Sequence, residues 1–370
     1  MEPKFLPISE PFLSGNERRY LLEAIDTGWI SSQGPFISRF EREFAEYHGL
    51  PHAVACSNCT TALHMALLAA GIGPGDEVLC PDLTFISPIN MVLLAGATPV
   101  LVDIERDSFN IDPAQMALKI TPRTRAVIVV HQFGHAADMD RIVAIASRHK
   151  LIVIEDVAEA IGGRYKGKLL GTIGDMACYS LFGNKIITTG EGGMVITSNP
   201  QYDRALRVLR DHGMTLGKKY HHDVLGFNYR LTNLQAAVGV AQLEKLDEIL
   251  ARRSKIEEHY RRRFANAPGL RWRPNLEYSQ SVFWLATITL DREEWREPLM
   301  EHLRGLGIEP RPMIFPVHYA PYLGYAKDTA EFPVSRSISL RSVHLPSASS
   351  LTEADVDRIC GAVIAWTRQQ

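Results

Sequence analysis

Leu151-Ile-Val-Ile154, followed by Glu155-Asp156, is the stretch of sequence that decides the fold. Its apolar residues leave no polar face, which is typical of a strand buried inside a parallel sheet. Ala126-Val-Ile-Val-Val130 has the same character, and a predicted helix over residues 139–148 separates the two runs. Upstream, helices predicted at 60–70 and 86–95 alternate with strands predicted at 78–80 and 99–103. The alternation predicts an α/β fold with a mainly parallel central sheet.

The second half of the chain predicts a smaller unit. Strands at 177–181 and 193–197 and a helix at 202–210 continue the first pattern. Leucine and valine residues then recur at roughly helical spacing from 231 to 250, and they predict one long connecting helix that runs to Phe264. A predicted strand at 282–288 and predicted helices at 298–305 and 353–366 follow. We therefore predict a large domain over residues 1–245, including the N-terminal segment, and a small α+β domain over residues 246–370.

Composition excludes several classes of partner. The 370 residues are 46% hydrophobic and 22% charged, and 40 basic against 42 acidic residues give a formal charge of −2. Such a balance provides no attraction to nucleic acid or to a membrane surface, so the expected partner is a small molecule. The chain starts without a basic and apolar leader, and no run of residues is apolar enough for a membrane span, so we expect a cytoplasmic location. Cys56-Ser-Asn-Cys59 has the spacing of a metal or redox pair, but no second pair accompanies it, and no metal site is predicted.

Lys185 and Asp156 carry the main chemical signal. Lys185 lies in the glycine-rich run Gly183-Asn-Lys-Ile-Ile-Thr-Thr-Gly-Glu-Gly-Gly193, and Asp156 ends a predicted strand, where open α/β sheets bind ligands. A lysine amine forms a Schiff base with a carbonyl compound, and the pyridine nitrogen of pyridoxal 5'-phosphate pairs with an aspartate. The two residues together predict a pyridoxal-phosphate enzyme with Lys185 as the catalytic residue. Taken singly, Lys185 could lie in a surface loop and Asp156 could cap a short helix over residues 157–161.

A phosphate site is predicted where a helix begins. The segment Ala55-Cys-Ser-Asn-Cys-Thr-Thr-Ala-Leu-His64 places Cys59 and Thr60 at the start of an apolar helix, whose free amide groups can bind a phosphate. Ser180, a few residues before Lys185, could add a hydroxyl group. An ordinary helix cap is the alternative reading of the same segment.

Two further residues are candidates for contacts with the cofactor ring. Phe85 follows a predicted strand near the phosphate segment and could stack on one face of the ring, although it could equally be a core aromatic residue. Glu159 would share a helical face with Asp156 if that turn is helical, and it could hydrogen-bond the ring oxygen. A surface carboxylate in an ion pair is the alternative for Glu159.

These residues fall within a set of segments that extends over nearly the whole chain. The segments are Trp29-Ile-Ser-Ser32, Ser57-Asn-Cys-Thr-Thr-Ala62, Gly73-Pro-Gly-Asp-Glu77, Asp138-Met-Asp140, Glu155-Asp-Val-Ala-Glu159, Ser180-Leu-Phe-Gly-Asn-Lys185, Thr189-Gly-Glu-Gly-Gly193 and Gly226-Phe-Asn-Tyr-Arg-Leu-Thr-Asn-Leu-Gln235. With them the chain resembles the sugar-nucleotide aminotransferases of the DegT/DnrJ/EryC1/StrS family. The resemblance implies fold type I of the pyridoxal-phosphate enzymes.

The resemblance also implies a role for each site residue. Lys185 would form the Schiff base with pyridoxal 5'-phosphate, Asp156 would meet the pyridine nitrogen and Glu159 would lie near the ring hydroxyl. Phe85 would stack on the ring. The residues implied to hold the phosphate are Thr60, Ser180 and, from the neighbouring subunit, Asn228, which implies a homodimer with shared sites. Cys59 stands where the family usually has glycine, and its side chain fits only if the local backbone is not left-handed.

The implied reaction is a transamination in two half-reactions, with glutamate as the amino donor. Three segments resemble members that act on C4 of GDP-4-keto-6-deoxymannose: Phe182-Gly-Asn-Lys-Ile-Ile-Thr-Thr-Gly-Glu-Gly-Gly193, Arg210-Asp-His-Gly-Met214 and Gly307-Ile-Glu-Pro-Arg-Pro312. A UDP- or dTDP-linked ketosugar and a non-catalytic protein of the same fold are the alternatives, whereas a dehydratase of this family would carry histidine in place of Lys185. Candidates for the substrate pocket, each with a possible packing or surface role instead, are Trp29, Ser31, His131, Arg230 and His318.

Overall fold

The computed structural model describes residues 4–370. Its helices are α1 Glu17–Asp26, α2 Pro35–His48, α3 Cys59–Ala69, α4 Ser87–Leu94, α5 Pro113–Leu118, α6 Met139–His149, α7 Pro200–Arg210, α8 Asn233–Leu243, α9 Leu246–Phe264, α10 Arg296–Gly305, α11 Pro333–Arg341 and α12 Glu353–Thr367. Its strands are β1 His52–Cys56, β2 Glu77–Pro81, β3 Thr98–Val102, β4 Thr124–Val130, β5 Ile152–Asp156, β6 Arg164–Tyr165, β7 Lys168–Leu169, β8 Met176–Ser180, β9 Gly193–Thr197, β10 Leu270–Trp272, β11 Ser279–Gln280, β12 Ala286–Leu290, β13 Arg311–Pro312 and β14 Ser342–Leu345.

The central sheet has seven strands in the order β1-β9-β8-β5-β4-β2-β3. The pairs from β8 to β3 are parallel, and β9 is antiparallel to both of its neighbours. Val127 and Val129 pack into one apolar cluster with α2, α6 and α8, whereas Ile128 and Val130 pack into another with α3, α4 and α7. Because successive side chains of a strand point to opposite faces, a sheet covered on both sides needs strands without a polar face. The predicted α/β fold with a mainly parallel sheet is confirmed.

The long connecting helix predicted through to Phe264 is instead two helices, α8 and α9, which are separated at Glu244 and Lys245. The carboxylate of Glu244 accepts hydrogen bonds from the Tyr20 hydroxyl at 2.6 Å and from Arg39 at 2.9 Å. These contacts with α1 and α2 favour a break that the apolar spacing does not reveal.

The C-terminal part of the chain builds a second, antiparallel sheet in the order β10-β12-β14-β13. The strand predicted from residue 282 begins only at Ala286, since the backbone of residues 282–285 bonds elsewhere: the Val282 amide donates to the Gly134 carbonyl at 3.0 Å. The buried guanidinium of Arg253 on α9 donates to the carbonyls of Phe283, Trp284 and Ser347.

The division into domains at residue 245 stays a prediction.

The five cysteines are all buried and none is in a disulfide. Among residues 4–370, no group of histidine, cysteine and acidic side chains is arranged to hold a metal ion. No described helix combines the length and the apolar composition that crossing a membrane requires.

Candidate active site

A cavity of about 630 Å³ opens at the carboxyl ends of the parallel strands. It brings together every residue predicted for the cofactor except Asn228: Cys59, Thr60, Phe85, Asp156, Glu159, Ser180 and Lys185. They come from different parts of the chain: two begin α3, two end β5 and β8, and the other three lie in loops. The sheet therefore assembles the predicted site at the edge where α/β sheets bind ligands.

Lys185 lies inside this cavity, with only 13% of its side chain exposed. Its Nζ atom is 3.9 Å from Oε1 of Glu159 and 3.9 Å from the centre of the Trp284 ring. The Trp284 indole is fixed in turn, because its Nε1 donates to the Asn184 carbonyl at 2.9 Å. Lys185 is thus held between a carboxylate and an aromatic face. This placement rules out the surface-loop alternative.

Asp156 ends β5 and is buried. Its Oδ1 accepts from the Ala158 amide at 3.0 Å and lies 3.9 Å from the Cys59 Sγ, whereas Oδ2 has no hydrogen-bond partner among the described residues. Burial raises the pKa of Asp156, and the Ala158 amide and the Lys185 charge oppose that rise. The residues after Asp156 form a turn and no helix, so the helix-cap alternative is not supported.

Glu159 reaches the cavity through that turn and not along a shared helical face. Its Oε2 accepts from the Phe133 amide at 2.8 Å, and Oε1 faces Lys185. Burial raises the pKa of Glu159 to about 7, and the nearby Lys185 charge opposes the rise. Glu159 is therefore a buried carboxyl group poised to gain or lose a proton near neutral pH, and not a surface acid.

The N-terminus of α3 forms another wall of the cavity. The Asn58 side chain caps this helix by accepting from the Thr61 amide at 2.9 Å, and the Thr60 hydroxyl lies 2.8 Å from the Ser87 hydroxyl. A Cβ on Gly193 would lie 2.5 Å from the Asn58 carbonyl oxygen, so only glycine lets β9 approach this turn. Cys59 is the first residue of α3 and does not have a positive φ, so its side chain fits without backbone strain.

The residues present fit pyridoxal 5'-phosphate. Lys185 supplies an amine, Asp156 offers a carboxylate oxygen without a partner, and the start of α3 supplies amide groups and hydroxyls for a phosphate. Phe85 leaves 62% of its surface exposed within the cavity lining, which suits an aromatic ring that stacks on a ligand. This exposure also rules out the reading of Phe85 as a core residue.

The two histidines predicted for the substrate pocket lie elsewhere. His131 is fully buried, with Nε2 2.9 Å from Oε2 of Glu155 and Nδ1 accepting from the Ala137 amide at 3.2 Å. His318 is also buried, and its Nδ1 lies 2.7 Å from Oδ2 of Asp82. Because a carboxylate fixes each ring in the interior, neither ring lines the cavity.

The remaining predicted residues lie on a different surface of the chain. Asn233 donates to the carbonyls of Trp29 and Ser31, each at 2.7 Å, and Arg230 contacts Asp211 and Ser32. Asn228 is exposed, and none of these predicted residues lines the cavity with Lys185. Within a single chain, the structure therefore does not bring Trp29, Ser31, Asn228 or Arg230 to the site.

Comparison with known proteins gives the family. The sequence model that describes the DegT/DnrJ/EryC1/StrS aminotransferase family matches residues 12–364 of the chain. The chain belongs to this family. GDP-perosamine synthase of Caulobacter vibrioides is 46% identical over 362 residues, 97% of each chain. GDP-perosamine synthase of Vibrio cholerae is 42% identical over 361 residues, 97% of this chain and 98% of the relative.

Solved structures of family members have the same fold. The crystal structure of a DegT/DnrJ/EryC1/StrS aminotransferase from Brucella abortus superposes with a TM-score of 0.89 at 31% sequence identity, covering 95% of each chain. The implied fold and the implied reaction class are therefore confirmed: the chain is an aminotransferase of this family.

Proposed function

We propose that this chain is a cytoplasmic, homodimeric aminotransferase that moves an amino group from glutamate to C4 of GDP-4-keto-6-deoxymannose and so makes GDP-perosamine. The observation that carries the reaction class is the placement of Lys185, Asp156 and Glu159 in one buried cavity. Support for the sugar comes from relatives named GDP-perosamine synthase that are 41–46% identical over nearly their full length.

The cofactor is pyridoxal 5'-phosphate, which when bound supplies a carbonyl group and a ring that accepts the electrons released at the reacting carbon. Lys185 would hold the cofactor through its amine and would act as the base that moves a proton during amino transfer. Asp156 would pair with the pyridine nitrogen and favour its protonated form. Glu159, which accepts from the Phe133 amide, lies beside the Lys185 amine, and the Trp284 ring packs against that amine.

The substrate assignment predicts a preference among nucleotide sugars. With glutamate as donor, GDP-4-keto-6-deoxymannose should be aminated, whereas UDP- and dTDP-linked 4-ketosugars should react poorly. A screen of these ketosugars, with the product detected by its mass, measures the preference as a ratio of kcat/KM values. A clear preference for a UDP or dTDP ketosugar would refute this substrate but leave the reaction class intact. Failure to transfer nitrogen from glutamate to any of these ketosugars would refute the proposed pairing of donor and acceptor.

The position of Asn228 supports a site shared between subunits. This residue is exposed and lies away from the cavity of its own chain, next to a surface that includes Arg230 and Asp211. By the family resemblance it reaches the cofactor phosphate of the partner. Asn228→Asp should therefore impair the enzyme, because a carboxylate would face a phosphate dianion across a partly desolvated gap.

Hybrid dimers test the shared site. Lys185→Ala and Asn228→Asp should each be impaired as pure dimers, and unfolding and refolding them together should restore activity, because one site of each hybrid then has an intact Lys185 and an intact Asn228. Differential tags on the two variants confirm that hybrids form. Asn275→Asp, at another exposed asparagine outside the cavities, is the control and should be active alone. A mixture no more active than its components would contradict the shared site.

A further inference from the structure

Phe133, in the tight turn after β4, has a left-handed backbone. Its φ is 51°, a conformation that phenylalanine rarely adopts, and the residue is buried. Such a conformation persists only where the surrounding structure enforces it, and such positions cluster at functional sites. We propose that Arg273, which bonds this turn, is a positioning residue for amino transfer. Through the turn it holds the two side chains beside the Lys185 amine, Glu159 and Trp284. The inference rests on the role proposed for Lys185.

Arg273 is buried and bonds the turn without lining the cavity that holds Lys185. Its Nη2 donates to the Phe133 carbonyl at 3.0 Å. Its Nη1 donates to the Gln132 carbonyl at 3.1 Å and to the Ser108 carbonyl at 3.3 Å. A guanidinium presents its donors in a rigid fork, so bonds to two consecutive carbonyls fix the backbone between them.

Asn110 fixes the two ends of the same turn. Its Oδ1 accepts from the Gln132 amide at 2.8 Å, and its Nδ2 donates to the His135 carbonyl at 3.1 Å. The carbonyl of the left-handed residue itself lies between these ends, and Arg273 is the side chain that bonds it. The contribution expected of Arg273 is therefore the conformation at Phe133.

The fixed turn presents two groups of Phe133 to the site. Its amide donates at 2.8 Å to Glu159, whose other carboxylate oxygen lies 3.9 Å from Nζ of Lys185. Its ring is nearly parallel to that of Trp284, with centroids 6.0 Å apart and planes 6° apart, and the Trp284 ring contacts the same Nζ. A shift of the turn would therefore displace both neighbours of the reactive amine, and small displacements of reacting groups slow catalysis strongly.

The charge of Arg273 acts on the same carboxyl group. Burial raises the pKa of Glu159 to about 7, the Lys185 and Arg273 charges and the Phe133 amide oppose the rise, and the Asp156 charge adds to it. Burial lowers the pKa of Arg273 to about 9, so this side chain is charged at neutral pH. Replacing Arg273 by a neutral residue removes its charge and loosens the amide bond, and both losses raise the pKa of Glu159.

Arg273→Met, in the full cofactor-loaded enzyme, should slow the half-reaction with glutamate by at least about tenfold, measured by stopped-flow absorbance. The pKa of Glu159 should rise by at least about half a unit. Infrared difference spectra between pH values measure it, and the carboxyl band that is lost in Glu159→Gln identifies the residue. Arg273→Lys, which keeps the charge, should restore part of both properties. Arg296→Met is the matched control, since this arginine is 11% exposed, donates to a backbone carbonyl and lies outside the cavity.

Phe133→Leu tests the aromatic contact separately. This variant keeps the backbone amide that bonds Glu159 but loses the ring that stacks on Trp284, so the half-reaction with glutamate should slow by at least about fivefold. Phe133→Tyr keeps the ring and should retain most of the rate. Phe264→Leu is the control, because Phe264 is buried in another aromatic stack, with Tyr260, and does not line the cavity.

A folded Arg273→Met enzyme that has the wild-type rate and the wild-type pKa of Glu159 would overturn the proposal. A loss of thermal stability without a change in either property would also overturn it. If Arg273→Met does not fold, a wild-type rate in Phe133→Leu is the contradicting result. The half-reaction with glutamate contains no sugar, so a wrong ketosugar assignment leaves this test intact. A wild-type enzyme inert to glutamate would refute the proposed donor, while the titration of Glu159 would still decide whether Arg273 acts on that group.

Discussion

Lys185→Ala should lower turnover with glutamate and ketosugar by at least about a thousandfold, because the methyl side chain offers neither a nucleophile nor a proton carrier. The variant should also lack the visible absorbance of a cofactor bound covalently to the protein. The fold should survive, since the lysine amine contacts only Glu159, Trp284 and the cavity. Steady-state rates, absorbance spectra and thermal unfolding of the same preparation measure all three effects.

Lys185→Arg is the matched control for charge. A guanidinium keeps a positive charge between Glu159 and Trp284, but it does not form the Schiff base. Both variants should therefore be inactive if the amine acts chemically. Turnover near the wild-type rate in either one would refute the central role of Lys185.

Asp156→Asn should slow both half-reactions by at least about a hundredfold while the cofactor stays bound, because a neutral amide does not hold the pyridine nitrogen protonated. The free Oδ2 of Asp156 and its place in the cavity lining are the reasons for choosing this residue. Stopped-flow absorbance separates the half-reaction with glutamate from that with the ketosugar.

Glu159→Gln provides the comparison for Asp156→Asn. Because burial raises the pKa of Glu159 to about 7, this carboxyl group is already partly neutral near that pH, and an uncharged amide resembles the protonated form. We expect its loss of rate to be less than about tenfold. Equal effects of the two substitutions, or near-normal rates for Asp156→Asn, would contradict the assignment of Asp156 to the ring nitrogen.

The parts of the fold that could be predicted are those with a local signal. β4 and β5 were predictable because both of their faces are apolar, and a strand without a polar face must be covered on both sides. The break between α8 and α9 lies at Glu244, which bonds to Tyr20, 224 positions away in sequence. Spacing of apolar residues carries no information about such a partner.

The same distinction applies to the site. Lys185 and Asp156 lie in short segments with a recognisable composition. The orientation of His131 has no such local signal: Val130, the last residue of β4, lines the cavity, whereas the side chain of His131 points into the interior and contacts Glu155. Trp284 was missed because its run of apolar residues predicts only a strand interior. Its contact with Lys185 joins residues 99 positions apart, 185 and 284, and arises only in the folded chain.

The buried guanidinium of Arg253 has a consequence for engineering chimaeras of this family. From α9 it donates hydrogen bonds to the carbonyls of Phe283 and Trp284, and the Trp284 ring contacts the amine of Lys185. A graft that exchanges the chain after α8 therefore also exchanges the aromatic ring that packs on Lys185. Such a graft keeps Arg253 and the carbonyls it bonds in one donor, whereas a junction between α9 and Trp284 would take them from two different donors.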